Sequence, residues 1–316
     1  MTMDTVAHPT GTDLAAVDDG VRTYHGRPVL KEPAWTWEVP WYLFFGGMAG
    51  ASSMLAAGAT LTGRTELARR ARLVGAVSAG VSTPLLIADL GRPARFLNML
   101  RVFKPTSVMS MGSWILASYS GATSVSAALA EFDRLPRLRA LADVGAGALG
   151  AGMLTYTGAL VADTAIPVWH EARHELPALF AASGMASAGA AATLLTPPRH
   201  AGPARRLAVT GAAAELSVDT VMRRRLAEIG EVYEQEEAGR FHKAAATATT
   251  VGGALVAVGG ARRRWLTAAG SVALLAGSVC QRWSVYRAGF QSARDPRATV
   301  RPQRDRLRRG QGHRRA

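Results

Sequence analysis

A single cysteine, Cys280, is the only thiol in this chain of 316 residues. An iron–sulfur cluster takes four cysteines and an internal disulfide takes two, so the chain can build neither by itself. Cys280 reads instead as a small packing residue. Histidine is equally sparse where it would matter. Of the seven, His8, His25, His170, His174, His200 and His313 fall in tails or connections, and only His242 stands near an apolar stretch. A membrane-embedded haem needs two facing histidines, and that pair is missing. His170 and His174 are four residues apart and could share a helical face for a metal, but solvated loop histidines are the better reading. Acids are scarce too, with 23 Asp and Glu against 37 Lys and Arg. The first forty residues are polar and acidic and lack the apolar core of a signal peptide. They are expected to remain as a cytoplasmic-like or partner-binding tail.

What the chain has instead is eight stretches of low charge, at 41–62, 73–88, 105–130, 144–162, 176–197, 207–222, 244–261 and 265–281, joined by arginine-rich connections. About 20 helical residues cross a hydrocarbon core of roughly 30 Å, and these stretches are near that length. Mean hydropathy is only +0.08 because the stretches use Ala, Gly, Ser and Thr and both tails are polar. Soluble helices of such length carry a charged face at the 3.6-residue period, which is lacking here. Barrel strands would be shorter and would alternate. The expected fold is an all-α integral membrane protein of eight transmembrane helices. A division into two four-helix bundles, 41–162 and 176–284, follows from the longer connection 163–175 between them, with a polar tail 1–40 and a basic tail 285–316. Pairs such as Gly46 and Gly50, or Gly145 with Leu149 and Met153, sit four apart and let helix backbones approach closely.

The net charge of +14 would suggest nucleic acid in a soluble protein. Here the arginines mark span ends and the last thirty residues, so the lipid bilayer surface explains them better than nucleic acid does. The tail arginines, Arg301 to Arg315, suit anionic lipid or a partner subunit, and the chain is expected to be disordered beyond Arg309. An even number of spans puts both tails on one face, together with the connections 89–104, 163–175 and 223–243. That face gathers more Lys and Arg, which favours cytoplasmic termini in the plasma (inner) membrane; the short, uniformly basic opposite loops argue the other way.

Ionisable groups at membrane depth are functional candidates by default. Asp89 closes the second stretch, Asp163 closes the fourth, and Glu215 and Asp219 share one face of the sixth at i and i+4. Structural pairing with an arginine or hydroxyl is an equal alternative for the last two. Asp143, at the mouth of a span, is expected to be interfacial. The run from Asp89 through Gly91, Arg92, Pro93 and Arg95 to Asn98 sets a carboxylate against a Gly–Arg–Pro turn, an ion pair that either binds an anionic or quinone-like headgroup or locks the turn.

The runs DLGRPARFLNML, KPTSVMSMGSW and WEVPWYLFFGGMAGAS resemble the NrfD/PsrC family, the integral-membrane subunits of molybdopterin oxidoreductases such as polysulfide reductase and related formate dehydrogenases. The closing YRAGFQSARDPRATVRPQR is similar to the tails of some members, so the resemblance spans nearly the whole chain. It implies a subunit with no redox centre of its own, neither haem nor iron–sulfur cluster. Electrons would then pass between a molybdopterin catalytic subunit, a four-cluster ferredoxin-like iron–sulfur subunit, and a quinone (menaquinone or ubiquinone) bound here. The family's pocket lies in the first bundle, which maps onto Glu38, Tyr42, Asp89, Arg92, Arg95, Tyr156 and Asp163. Polysulfide reductase-like members use Asn and His near the first span; this chain has Trp37, Glu38 and Tyr42 instead.

Tyr42 and Tyr156 could hydrogen-bond a carbonyl, a carboxylate could relay protons, and Arg92 could offset charge on the reduced ring. Glu215 and Asp219 would continue a proton route through the second bundle. The face bearing the loop from Asp89 to Lys104 and the charge-rich segment from Arg223 to Arg240, expected to be helical, is expected to dock the iron–sulfur subunit. Two other classes stay open. A secondary transporter would show an internal repeat and broken helices, and Pro84 is the sole proline well inside a span. A structural anchor would keep the docking face without the pocket.

Overall fold

The computed structural model describes residues 30–131 and 135–300, and no strand occurs among them. The first 29 residues and the arginine-rich end from Arg301, including the expectation of disorder there, lie outside the described residues. In chain order the helices are α1 (Glu38–Leu61), α2 (Thr65–Asp89), α3 (Pro93–Met99), α4 (Val108–Glu131), α5 (Pro136–Ala162), α6 (Pro167–Glu171), α7 (Leu176–Leu195), α8 (Gly202–Leu226), α9 (Glu236–Gly259) and α10 (Arg264–Arg294), with a 3-10 segment at Ala227–Glu234. Four of them, α1, α2, α5 and α7, are long and apolar enough to cross a membrane. The protein is therefore an all-α multi-pass membrane protein.

Proline punctuates the chain in a way that explains several helix starts. Pro93, Pro136, Pro167, Pro177 and Pro203 all stand in the first two positions of their helices, where the missing N–H costs nothing. The DLGRP run is a helix-to-helix turn on the same logic. Asp89 ends α2, Gly91 takes φ +69°, Arg92 is extended, as a residue before proline must be, and Pro93 opens α3.

Helix α1 packs against α2, α5, α7 and α10, which makes it the central element. On one side α2 and α5 each also meet α4; on the other, α7 meets α8 and α10, and α9 lies between α8 and α10. The crossing of α1 and α5 is set by Gly50 and Gly150, whose backbones touch: a Cβ on Gly150 would lie 2.6 Å from the Gly50 carbonyl oxygen. No larger residue fits without separating the helices.

A buried ion pair ties four helices at the end of the bundle carrying the α1–α2 turn. The Arg72 guanidinium on α2 donates twice to Asp143 on α5, at 2.8 and 2.6 Å, while Thr60 of α1 donates at 2.7 Å and Ser126 of α4 donates to the same carboxylate. Asp143 is only 1% exposed, which corrects the expectation of an interfacial residue. The reason lies in α2, which begins at Thr65 rather than at 73 and so carries Arg72 into the bundle. All of the carboxylate's strong bonds run to other helices.

The opposite end, here the tail face, is woven from distant segments. Trp35 stacks on Trp169 at 5.0 Å between centroids, and the Trp169 indole N–H donates to the Val285 carbonyl at 2.7 Å. Tyr286 donates to the Trp35 carbonyl at 2.8 Å, and Arg294 pairs with Glu32 at 2.7 Å, so both ends of the described chain meet on one face. That hydrogen bond from Arg294 holds the exposed Glu32 carboxyl below its ordinary range. Helix α10 thus continues to Arg294 and packs through residues the sequence assigns to a tail. The 223–240 segment departs from expectation as well. Positive φ at Ala227 and Glu236 breaks it into the end of α8, the 3-10 segment and the start of α9. Its charges are partly spent within the fold, Arg225 on Glu175 and Glu236 accepting from the Gln291 amide.

Asp143→Ala should destabilise the detergent-solubilised protein by about 3–5 kcal/mol, because Arg72 is left buried without a counter-charge. Ser126→Ala removes one hydrogen bond to a charged group and should cost about 1.5–3 kcal/mol, the smaller loss in denaturation of the same preparation.

Candidate functional site

Two polar regions inside the bundle can carry chemistry, and the tail-face end of α1 holds the first. Glu38 and Tyr42 stand one helical turn apart on α1, and a Glu38 carboxylate oxygen is buried without a hydrogen-bond partner among the described residues. Tyr42 is buried and lies within electrostatic range of Tyr156 on α5. The Tyr156 ring rests on Gly112 of α4, where any side chain would occupy the place of the phenol. Behind Tyr42, the Ser82 hydroxyl of α2 donates to the Tyr42 carbonyl at 3.4 Å. Two phenols therefore approach each other from α1 and α5, and the Glu38 carboxylate, one turn before Tyr42, lies within electrostatic range of Tyr286 of α10. Buried polar atoms are almost always satisfied, so an unpartnered carboxylate oxygen one turn from a buried phenol fits a ligand that carries its own hydrogen-bonding groups.

The other residues expected there distribute differently. Asp89 is half-buried and accepts from the Thr36 amide at 3.1 Å and the Thr36 hydroxyl at 2.9 Å, so it fastens the segment leading into α1. No ion pair joins it to Arg92; the expected Asp89–Arg92 pair does not form among the described residues. Arg92 is exposed in its extended pre-proline position, and Arg95 is exposed and donates to the Leu90 carbonyl at 2.9 Å. Asp163 is exposed just beyond α5. The structure thus brings Tyr42 and Tyr156 together, places Glu38 and Asp89 within electrostatic range of Tyr286, and leaves Arg92, Arg95 and Asp163 on the surface.

The second region lies where the two sides of the molecule meet. Arg282 of α10 is 1% exposed; it donates to the Phe180 carbonyl of α7 at 2.9 Å, to the Leu43 carbonyl of α1 at 3.5 Å and to Gln281, and its guanidinium lies 3.9 Å above the Phe180 ring. Glu215 of α8, 3% exposed, stands within electrostatic range of it. One Glu215 oxygen accepts a long 3.5 Å bond from Thr249, and the other has no partner. One turn on, Asp219 meets His242 of α9 at 3.0 Å and Arg223 at 3.1 Å. Tyr233 then caps this line in the 3-10 segment, its ring 6.2 Å from that of His242. Burial, and then the Asp219 charge, push the Tyr233 phenol above its ordinary value, so it stays a neutral donor. The result is a file of titratable groups from the centre of α8 to the tail face.

Sequence reasoning finds Glu215 and Asp219 but misses Arg282, His242 and Tyr233 as their neighbours. Arg282 directly follows the low-charge stretch ending at residue 281, so it reads as a boundary arginine. His170 and His174 are exposed, and Cys280 is half-buried.

The Polysulphide reductase, NrfD family matches residues 26–229. The chain belongs to the NrfD family. As a member it is a membrane subunit of the oxidoreductase-complex kind. The match covers Glu38, Tyr42 and Tyr156 as well as Glu215 and Asp219, and ends before α9 and α10, which bring His242 and Arg282. A search of curated proteins gave no match.

Arg282→Met should lower stability in detergent by about 1.5–3 kcal/mol, since the Phe180 and Leu43 carbonyls lose a charged donor. Adding Glu215→Gln should restore part of it, a coupling of about 0.5–3 kcal/mol in the double-mutant cycle. Strict additivity would show that the two groups do not compensate each other.

Proposed function

We propose that this NrfD-family chain is the quinone-handling membrane subunit of a molybdopterin oxidoreductase complex, of the polysulfide reductase or formate dehydrogenase kind. A four-cluster ferredoxin-like subunit passes electrons between the molybdopterin subunit and the quinone. The observation that carries this reading is the buried pair of phenols, Tyr42 of α1 and Tyr156 of α5, with a Glu38 oxygen that is unpartnered among the described residues one turn from Tyr42. A bound quinone would supply the two-electron redox chemistry. The chain's own part is to hold and move protons. Tyr42 and Tyr156 donate hydrogen bonds to ring oxygens, and Glu38 holds a proton at its free oxygen. Asp89 positions the segment before α1 through Thr36. Arg92 and Arg95, exposed beside Leu97, Val102 and Phe103, form a basic and apolar surface suited to the iron–sulfur subunit.

In this reading all eight long helices span the plasma (inner) membrane, as two four-helix units meeting at α1 and α7, with cytoplasmic termini. Glu215, Asp219 and His242 relay protons along the second unit. Helix α2 runs through Pro84 without interruption, so a secondary transporter's discontinuous helix is not found there.

Tyr42→Phe and Tyr156→Phe preserve volume and remove one hydroxyl each. At about 0.5–1.5 kcal/mol per hydrogen bond, each should slow quinone turnover roughly two- to tenfold in the assembled complex, with subunit stoichiometry unchanged. Parental rates in both variants would assign these tyrosines to packing and favour a structural anchor.

A further inference from the structure

The face opposite the tails carries a feature that the redox reading does not use. Between the α1–α2 turn and the start of α8 lies an open groove of about 400 Å³, running along α1 and α7. Its walls are apolar, from Ala51, Met54, Leu55, Leu67, Met185 and Leu207, and its rim is Arg64 on one side and Arg206 on the other. Both arginines are exposed, and neither has a carboxylate partner among the described residues. Glu66, the nearest acid in sequence to Arg64, is already held by Arg70 at 2.9 Å. An apolar trench ending between two uncompensated guanidinium groups at a bilayer boundary matches one class of molecule, a hydrocarbon chain with an anionic head.

We propose that this groove is a binding site for an anionic phospholipid, with an acyl chain along the α1–α7 wall and the phosphate between Arg64 and Arg206. A second, smaller pocket of about 200 Å³ on the same face repeats the chemistry: Arg205 and Arg264 line it, together with Thr196, whose hydroxyl is buried without a partner. Arg205 and Arg206 are adjacent on α8 and serve different pockets, so the start of α8 presents cations on two sides. A quinone is a poor occupant of the larger groove. Its lining has no carboxylate, phenol or imidazole with which to exchange a proton. The lipid would fill the seam between the α1–α2 and α7–α8 ends, where no side chain among the described residues closes the gap.

The test uses the full chain in detergent, followed by native mass spectrometry with dioleoylphosphatidylglycerol, dioleoylphosphatidylcholine or inorganic phosphate added. The anionic lipid should be retained at least about tenfold better than the zwitterionic one, taking about one order of magnitude for two phosphate-facing arginines as the floor. Arg64→Gln with Arg206→Gln should weaken it by about thirtyfold, at about fivefold per arginine. Arg262→Gln with Arg263→Gln, on the same face but outside the groove, should change retention less than about twofold. Leu207→Trp, which fills the trench, should expel lipid. Equal retention of the two lipids, equal effects of the two arginine pairs, or competition by free phosphate that is as strong as that by lipid would each overturn the proposal. In those cases the face is a diffuse positive field or a simple anion site.

Discussion

A charge inside an apolar slab must be answered by another charge or by a full set of hydrogen bonds, and this constraint organises the whole molecule. Asp143 meets it completely. It draws Arg72, Thr60 and Ser126 from three other helices to one carboxylate, so a single residue fixes how α1, α2, α4 and α5 close together. Arg282 meets it by a different route, through carbonyls of α1 and α7 and the face of Phe180, and so binds the two sides of the molecule to each other. Small residues then allow backbones near enough for these bonds to form, as at Gly50 and Gly150.

Beside these satisfied charges, the incompletely answered groups stand out. Glu38 and Glu215 each retain a buried carboxylate oxygen without a partner. Buried polar atoms left unpaired are expensive, and a fold that satisfies Asp143 so thoroughly has the means to satisfy them too. Their incompleteness is the physical basis for placing proton chemistry at the two sites. One lies a turn from Tyr42 near the tail face; the other begins a file that runs through Asp219 and His242 toward Tyr233. In the proposed function the two sites divide the work between substrate contact and proton movement.

Much of this architecture is legible in the amino-acid sequence. The low charge of the stretches and the arginines between them point to the membrane class, and each of the eight long helices overlaps one of the predicted stretches. The DLGRP turn can be read as a turn because Gly and Pro have fixed meanings there. Partnership is what the sequence hides. Arg72 and Arg282 look like boundary arginines by hydropathy, since a window average registers the charge and not the carboxylate or carbonyl that awaits it on another helix. Asp143 looks interfacial for the same reason. Arg92 and Asp89 are close in sequence and suggest a pair, yet the extended backbone before Pro93 leaves Arg92 exposed while Thr36, distant in sequence, takes the carboxylate. The 223–240 segment looks helical by composition, and only the positive φ values at Ala227 and Glu236 reveal the bends.

The central claim is that the quinone ring sits at the tail-face end of α1, against Tyr42 and Tyr156. It is tested most directly by irradiating the assembled complex with a photoreactive quinone analogue and mapping the labelled peptides. The account predicts label on α1 around Glu38 to Tyr42 and on α5 around Tyr156, and its loss when native quinone is added in excess. Displaceable label confined to the groove between Arg64 and Arg206, or to α8 and α9, would contradict it.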